Sequence, residues 1–452
     1  MTGGFLRNPR VRVLWGETNL SSYDGGGGLP ENHSVVYDVE VDLSKEGNGP
    51  TATMKWDPTG PGYALYEKFI EENISQQISI EFFYTRGKKI TFFFVWSGHR
   101  INYGNNMEVT VKMQSELAGL INANPRSTAQ AGEEEAGMSP TEMVEKAKEQ
   151  FGLTSQEDFV QYSPATLKSF EKIKLLNGYG KDWTFGNNVA QIAKQTGDSL
   201  FANNIGGANL VFFAPYSWEG SEGSEEVIPA TATSPSPPEP NLRYGYLLGP
   251  AIIDTITRDT DWKPPQQPNT KSPANQSLPV KPEAAATTTQ TPPSKPQEEE
   301  ANADGAAAST TAPLGTSNGA SNLNFTNKEN ELGPAKQIAL NQEGVSKLTL
   351  TAFMCPVLCG IKPNDIIFIP SLNGEYIEDW IVESTSYNQS NGSVSIGIQA
   401  TRTYGSGTPM QESIAQQYLI QAIDNGLVGP NATLEAWESY AWGSPGSLPA
   451  VP

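Results

Sequence analysis

From residue 264 to residue 340 the chain consists largely of proline, threonine, alanine, asparagine and glutamine, with almost no large apolar side chain. Such a segment cannot bury enough surface to offset the entropy lost on ordering, so it is expected to be a disordered tether. The ordered protein must then be assembled from the two flanks of the tether. The chain has 452 residues, and single cores stop growing near ~250–300 residues, so several domains are expected.

Both flanks alternate apolar and polar side chains with the period of two that marks a half-buried strand. Pro9 to Gly16 reads Pro-Arg-Val-Arg-Val-Leu-Trp-Gly, and Ser34 to Leu43 sets Val35, Tyr37, Val39, Val41 and Leu43 against Asp38, Glu40 and Asp42. Ile78 to Tyr84 and Lys89 to Trp96 form a hairpin about Thr85-Arg-Gly87, and Glu108 to Met113 adds a last strand. Near Tyr63 to Glu72 the spacing of Leu65, Phe69 and Ile70 is that of a short helix. Beyond the tether, Leu348 to Phe353, Asp365 to Ile369, Tyr376 to Ser386 and Ser393 to Thr403 read as four strands, with turns that include Asn373-Gly374 and Asn391-Gly392.

The pattern between these regions is different. Residues 123–138 are small, polar and acidic, a linker by composition. Ser139-Pro140-Thr-Glu142 then sets a serine cap, a proline at the first helical position and an acidic first turn, and Ser163-Pro164 repeats the signature. Asn187 to Gly197 is a third helix, while Leu210 to Ala214 and Tyr244 to Ile256 read as strands. The fold class expected is therefore β-rich α+β. It has a first antiparallel β-barrel domain over 1–122, the acidic linker over 123–138, an α/β insert over 139–263, the disordered segment over 264–340 and a second β-barrel domain over 341–404. The remainder, 405–452, is expected to hold a helix from Pro409 to Asn425 and a docking tail with Trp437, Tyr440 and Trp442, since exposed aromatics of that size are costly to leave wet.

Several function classes are disfavoured. A net charge of -20 repels phosphate backbones and anionic membrane surfaces, and no apolar run approaches the ~20 residues of a membrane-spanning helix. Met1 to Phe5 lacks the charged and apolar regions of a secretory signal. Cys355 and Cys359 have no nearby Cys or His to complete a zinc site and read as buried thiols, with a local disulfide the alternative. Only His33 and His99 are present, in a different predicted domain from the cysteines, so a nucleophile and base pair is not expected. The acidic runs Glu71-Glu72, Glu133 to Glu135 and Glu225-Glu226 read as solvated faces, not as a glycosidase pair in a cleft. No catalytic set, metal or cofactor is expected.

Within the last β region the order is Pro356, then Gly360-Ile-Lys-Pro363-Asn-Asp365-Ile-Ile-Phe-Ile369, then Gly374-Glu-Tyr376-Ile-Glu-Asp-Trp-Ile-Val382, then Val394-Ser-Ile-Gly-Ile-Gln-Ala-Thr-Arg402. This segment resembles the second barrel of phage contractile-tail baseplate hub proteins of the Mu-like and late-control type. The resemblance implies a non-catalytic structural protein of the virion tail, assembled in the host cytoplasm. It implies a homotrimer whose paired barrels adapt a six-fold tail tube to a three-fold central spike, with tape measure and baseplate wedge proteins as further partners. Tyr376, Trp380, Arg402, Trp437 and Trp442 are then the candidate interface or docking residues, the first three at the core or rim of the second barrel. Asp182 to Asn204 is similar in part to a LysM module, so the alternative is a cell-wall or glycan-binding β-protein with a disordered tether. A third class, a tube or sheath subunit, would carry a single barrel.

Overall fold

The computed structural model describes residues 10–24, 28–44, 49–84, 87–104, 107–122, 138–153, 159–174, 184–216, 227–230, 234–249, 252–260, 345–370, 376–390, 393–403, 408–409, 419, 423, 431 and 433. The expected tether and most of the expected C-terminal helix and tail lie outside these residues.

The first region runs β1 (Arg10–Trp15), β2 (Thr18–Asn19), β3 (Tyr23–Asp24), β4 (Glu31–His33), β5 (Val36–Ser44), β6 (Thr51–Trp56), α1 (Gly60–Asn73), β7 (Ile78–Phe83), β8 (Lys89–Asn102), β9 (Glu108–Gln114) and α2 (Leu117–Ile121). From Val39 onward the alternation read from the sequence is the alternation of burial: Val39, Val41 and Leu43 are buried while Glu40 and Asp42 are exposed. Tyr37, expected on the same apolar face, is instead 38% exposed and lies opposite Lys55, because a register shift between Tyr37 and Glu40 turns the start of the strand over and buries Val36. Helix α1 is capped by Thr59, whose side chain accepts from the Gly62 N–H, and it packs Leu65, Tyr66 and Phe69 against Trp15 and Trp56.

The insert comes next as α3 (Pro140–Phe151), β10 (Val160–Tyr162), α4 (Pro164–Phe170), α5 (Phe185–Thr196), β11 (Ser199–Asn203) and β12 (Asn209–Phe213). Ser139 and Glu142 form a reciprocal capping box on α3, Ser163 caps α4 and Thr184 caps α5. Helices α3 and α5 end on Gly152 and Gly197 at φ 70° and 78°, a conformation that glycine adopts without steric cost. Together with the sheet β10-β12-β11 they enclose their own apolar cluster, with Met143, Val144, Phe151, Phe185, Val189 and Phe212 at its centre. Although β10, α4, α5 and β11 come in βααβ order, β12 lies between the two strands.

After the insert come β13 (Val227–Pro229), β14 (Arg243–Leu247) and β15 (Ile253–Thr260), and beyond the expected tether β16 (Val345–Phe353), a short 3-10 turn (Pro356–Leu358), β17 (Ile366–Pro370), β18 (Tyr376–Ser390), β19 (Ser393–Thr403) and β20 (Thr408–Pro409). The expected single strand from Tyr244 to Ile256 is two strands. The sequence interrupts it with Gly249-Pro250, and the Ile252 N–H turns back to the Gly249 carbonyl at 3.0 Å. The halves then diverge: β14 pairs parallel to β17, and β15 pairs antiparallel to β16.

Two closed barrels were expected; the described strands of the two β regions instead share one large sheet, without closing into separate barrels. The junction is β5 with β18, antiparallel, from Ser44 opposite Ser384 to Val39 opposite Gln389. Its physical reason is that both strands carry polar residues on one face and apolar ones on the other, so pairing them continues both faces. Ser386 donates to Glu40 at 3.2 Å and Ser390 to Asp38 at 3.0 Å across it. On the dry side Tyr387 packs on Phe82 and Phe92, with centroids 5.7 and 5.1 Å away.

Glu81, nearly buried on β7, ties three strands together, accepting from Arg12 Nε at 2.6 Å and from Lys89 Nζ at 3.0 Å. Burial pushes its carboxyl up, but the hydrogen bonds and charges of Lys89 and Arg12 outweigh this, and the pKa lies below the ordinary value. A folded-state pKa below that of the unfolded chain gives stability that is present above ~4.3 and lost as pH falls through the folded value. Glu81→Gln is expected to flatten the acid limb of the urea midpoint against pH, by a modest amount because both cations are largely solvated.

Candidate assembly interface

The strands of the two β regions repeat one another. In the first, β5 pairs β6, β6 pairs β9, β9 pairs β8 and β8 pairs β7; in the second, β15 pairs β16, β16 pairs β19, β19 pairs β18 and β18 pairs β17. All of these pairings are antiparallel, and the chain order within each set is the same. The fourth strands, β8 and β18, are the long ones at 14 and 15 residues, each shared between the third and fifth strands of its set. Each also carries a register shift against the fifth strand at the same point, Trp96/Gly98 in β8 and Val382/Ser384 in β18. A bulge is a positional device and not a random defect, so its recurrence aligns the two sets residue by residue: Gly98 with Ser384, Ile101 with Tyr387, and Phe94 with Trp380.

Through the β5·β18 junction the sets merge into a row of eight strands, β8-β9-β6-β5-β18-β19-β16-β15. One face of the row is dry, carrying Val111, Met54, Val41, Tyr387, Ile398 and Leu350 at 0–1% exposure. The opposite face is wet and mostly polar where it is described, with Lys112, Thr53, Asp42, Ser386, Gln399 and Thr349 as successive examples.

Both ends of the row are open. Among the described residues β15 pairs only with β16, and β8 beyond Phe94 pairs only with β9. Unpaired edges are templates for another strand, and these two differ in charge: β15 exposes Asp254 and Asp259, and β8 exposes Arg100. Exposed large apolar side chains among the described residues number five, and two of them, Tyr103 at 77% and Ile256 at 39%, stand at these two edges.

Of the residues singled out from the sequence, Trp380 and Arg402 fall behind the β15 edge. Trp380 is 2% exposed and Arg402 7%, with the guanidinium 5.4 Å from the indole centroid. Glu378 bridges Arg402 on β19 and Arg258 on the edge strand β15, at 3.2 and 3.1 Å. Burial lowers the Arg402 pKa, and the charges of Glu378 and Asp379 oppose that shift. Tyr376 opens β18 opposite Pro409. Trp437 and Trp442 lie outside the described residues. The edge residues Arg100, Tyr103, Ile256 and Asp259 escaped the sequence reading; the one signal for β15 was the charged and β-branched alternation of Asp-Thr-Ile-Thr-Arg-Asp-Thr from Asp254, the composition of a protected edge strand.

Elsewhere the reactive side chains are held quietly. Burial pushes both Cys355 and Cys359 up to about 11, so both are neutral thiols near pH 7. His33 bonds Asp57 at 2.8 Å and His99 bonds the Tyr66 hydroxyl at 3.0 Å. Among the described residues no three His, Cys, Asp or Glu side chains gather to hold a metal ion, and no helix is long and apolar enough to cross a membrane.

Fold and edges together define a tandem-repeat β-protein whose two halves share one sheet, with β15 and the far end of β8 left as edges among the described residues. No protein-family model matches the sequence, and no curated protein matches it. Among solved structures the chain is similar to the 43 kDa tail protein of prophage MuSo2 from Shewanella oneidensis, at 12% identity and a TM-score of 0.47 over 89% of this chain and 100% of that one. It is also similar to a tail protein from Neisseria meningitidis MC58, at 9% identity and a TM-score of 0.44 over 87% and 96%. A third similar structure is the prophage tail protein gp18 from Listeria monocytogenes EGD-e, at 9% identity and a TM-score of 0.40 over 92% and 99%.

Proposed function

We propose that the chain is a non-catalytic structural hub of a phage-type tail, three copies of which form a ring that adapts a six-fold tail tube to a three-fold central spike. The internal repeat carries this reading. A ring of three chains, each with two equivalent strand sets, presents six similar units, which is what a six-fold partner requires of a three-fold object. The resemblance of Val345 to Arg402 to hub proteins points the same way.

The two faces of the row favour one lining for such a ring. The dry face is covered by β7, β17, α1 and the rest of the core, material too bulky for the inside of a ring, so the polar face lines the channel. On this reading Trp380 and Arg402 act from behind the sheet, holding β15 in place through Glu378, while Tyr376, Trp437 and Trp442 belong to docking surfaces. The partners are the tube protein and the spike, with tape measure and wedge proteins beyond them, and the site of action is the virion tail. The divisions at 122, 138, 263, 340 and 404 are part of the same reading, with the segment 264–340 as a tether.

The purified full-length chain is expected to scatter light as three times 48.8 kDa and to appear by negative stain as three-fold rings with a central channel. A stable monomer at high concentration would sink the hub and favour the tethered glycan-binder, to be tested next by a peptidoglycan pull-down.

A further inference from the structure

The repeat bears on residues that do not meet within one chain. If β5 to β9 and β15 to β19 are equivalent sets, the junction inside the chain, where the first strand of one set pairs with the fourth strand of the other, has a counterpart between chains. We propose that the β15 edge of one copy pairs antiparallel with the β8 edge of the next, in the register that β5 already makes with β18. The occupant of each open edge is thus a second copy of this chain; the three-fold count rests on the hub reading, the edge pairing does not.

The register is obtained by substitution. Asp259 lies opposite Lys347 as Asp42 lies opposite Thr51, so β15 replaces β5 with Asp259 in the place of Asp42. Counted from the shared bulge, Gly98 to Asn102 replace Ser384 to Asn388. Asp42 opposite Ser386 therefore becomes Asp259 opposite Arg100 of the next copy, Glu40 opposite Asn388 becomes Thr257 opposite Asn102, and Val39 opposite Gln389 becomes Ile256 opposite Tyr103.

Three properties of those edges agree with this register, though none entered its derivation. Asp259 and Arg100 carry opposite charges, both are exposed, and among the described residues neither has an ion-pair partner in its own chain. Ile256 and Tyr103, the exposed apolar residues of the two edges, meet on the dry side and extend the core across the joint. The row contains an even number of strands, all antiparallel, so joining its ends head to tail preserves the alternation. An odd row would force a parallel neighbour.

Residues directly opposite across an antiparallel pair have Cα atoms about 4.5–5.5 Å apart, inside the range a disulfide spans. The full chain carrying Thr257→Cys and Asn102→Cys together, oxidised under native conditions, is expected to give a covalent ladder ending at the trimer on a non-reducing gel. Either substitution alone should give none, and the offset pair Thr257→Cys with Arg100→Cys much less. In a second test Asp259→Arg and Arg100→Asp are each expected to weaken self-association about tenfold per interface, and the two together to restore it. These positions are exposed, so circular dichroism should show an unchanged fold. A ladder that closes at a number other than three keeps the edge pairing and overturns the three-fold hub. A native trimer with neither cross-link nor charge-swap rescue overturns the edge pairing and keeps the hub.

Discussion

Asp365→Ala is expected to remove about 3–5 kcal/mol of stability, measured by urea denaturation, because it strands a buried cation. Lys362 and Asp365 are both 0% exposed and paired at 2.8 Å. The carboxylate also accepts from the backbone N–H of Lys362 and of Tyr244, each at 3.0 Å, while Lys362 Nζ donates to the Leu242 carbonyl at 2.8 Å and lies 5.0 Å from the Tyr244 ring centroid. Burial raises the Asp365 carboxyl, and Lys362 with the backbone donors pulls the other way. The pair clasps the start of β14 to the turn before β17, so its loss is felt where β14 joins the second set of strands. Removing both charges with Lys362→Met and Asp365→Leu is expected to cost less than Asp365→Ala alone, since no unpaired charge remains. Equal losses for the single and the double variant would show that backbone contacts, and not the ion pair, hold the clasp.

Local signals were legible in the sequence wherever the cause is local. Ser139, Ser163 and Gly197 announced helix ends because capping is settled within four residues, and the strand of Val39, Val41 and Leu43 announced its faces because the period of two is a property of one strand. The closing of sheets was not legible. Ser44 and Ser384 are neighbours although the insert and the expected tether separate them in the chain, and nothing in either strand names the other as partner. The repeat was hidden for a related reason: Arg100 stands where Ser386 does and Ile101 where Tyr387 does, so only inward or outward direction and the bulge are shared. Trp380 and Arg402 drew notice as large side chains in a strand-rich segment, whereas Arg100 and Asp259 owe their interest to an edge that no described strand of the chain covers, which a sequence does not record.

Trp380→Ala is expected to cost about 3–5 kcal/mol, the ordinary loss for emptying a buried aromatic site, and Trp380→Phe much less. The indole lies opposite Ile367 in the place that Phe94 occupies opposite Ile78 in the first set, so the framework already holds phenylalanine at the equivalent point. The indole N–H finds no acceptor among the described residues, so phenylalanine also deletes an unsatisfied donor and retains a ring for the Arg402 guanidinium. If volume and the cation–aromatic contact are what Trp380 supplies, Trp380→Phe should keep the urea midpoint near that of the parent and keep self-association intact. Arg402→Ala should instead loosen β15, since Glu378 would lose one of its two guanidinium partners and hold Arg258 alone. Hydrogen exchange of the β15 amides separates these cases: faster exchange in Arg402→Ala with unchanged exchange in Trp380→Phe is the expected pattern. Faster exchange in both would mean that the indole itself, and not the charged bridge, steadies the edge.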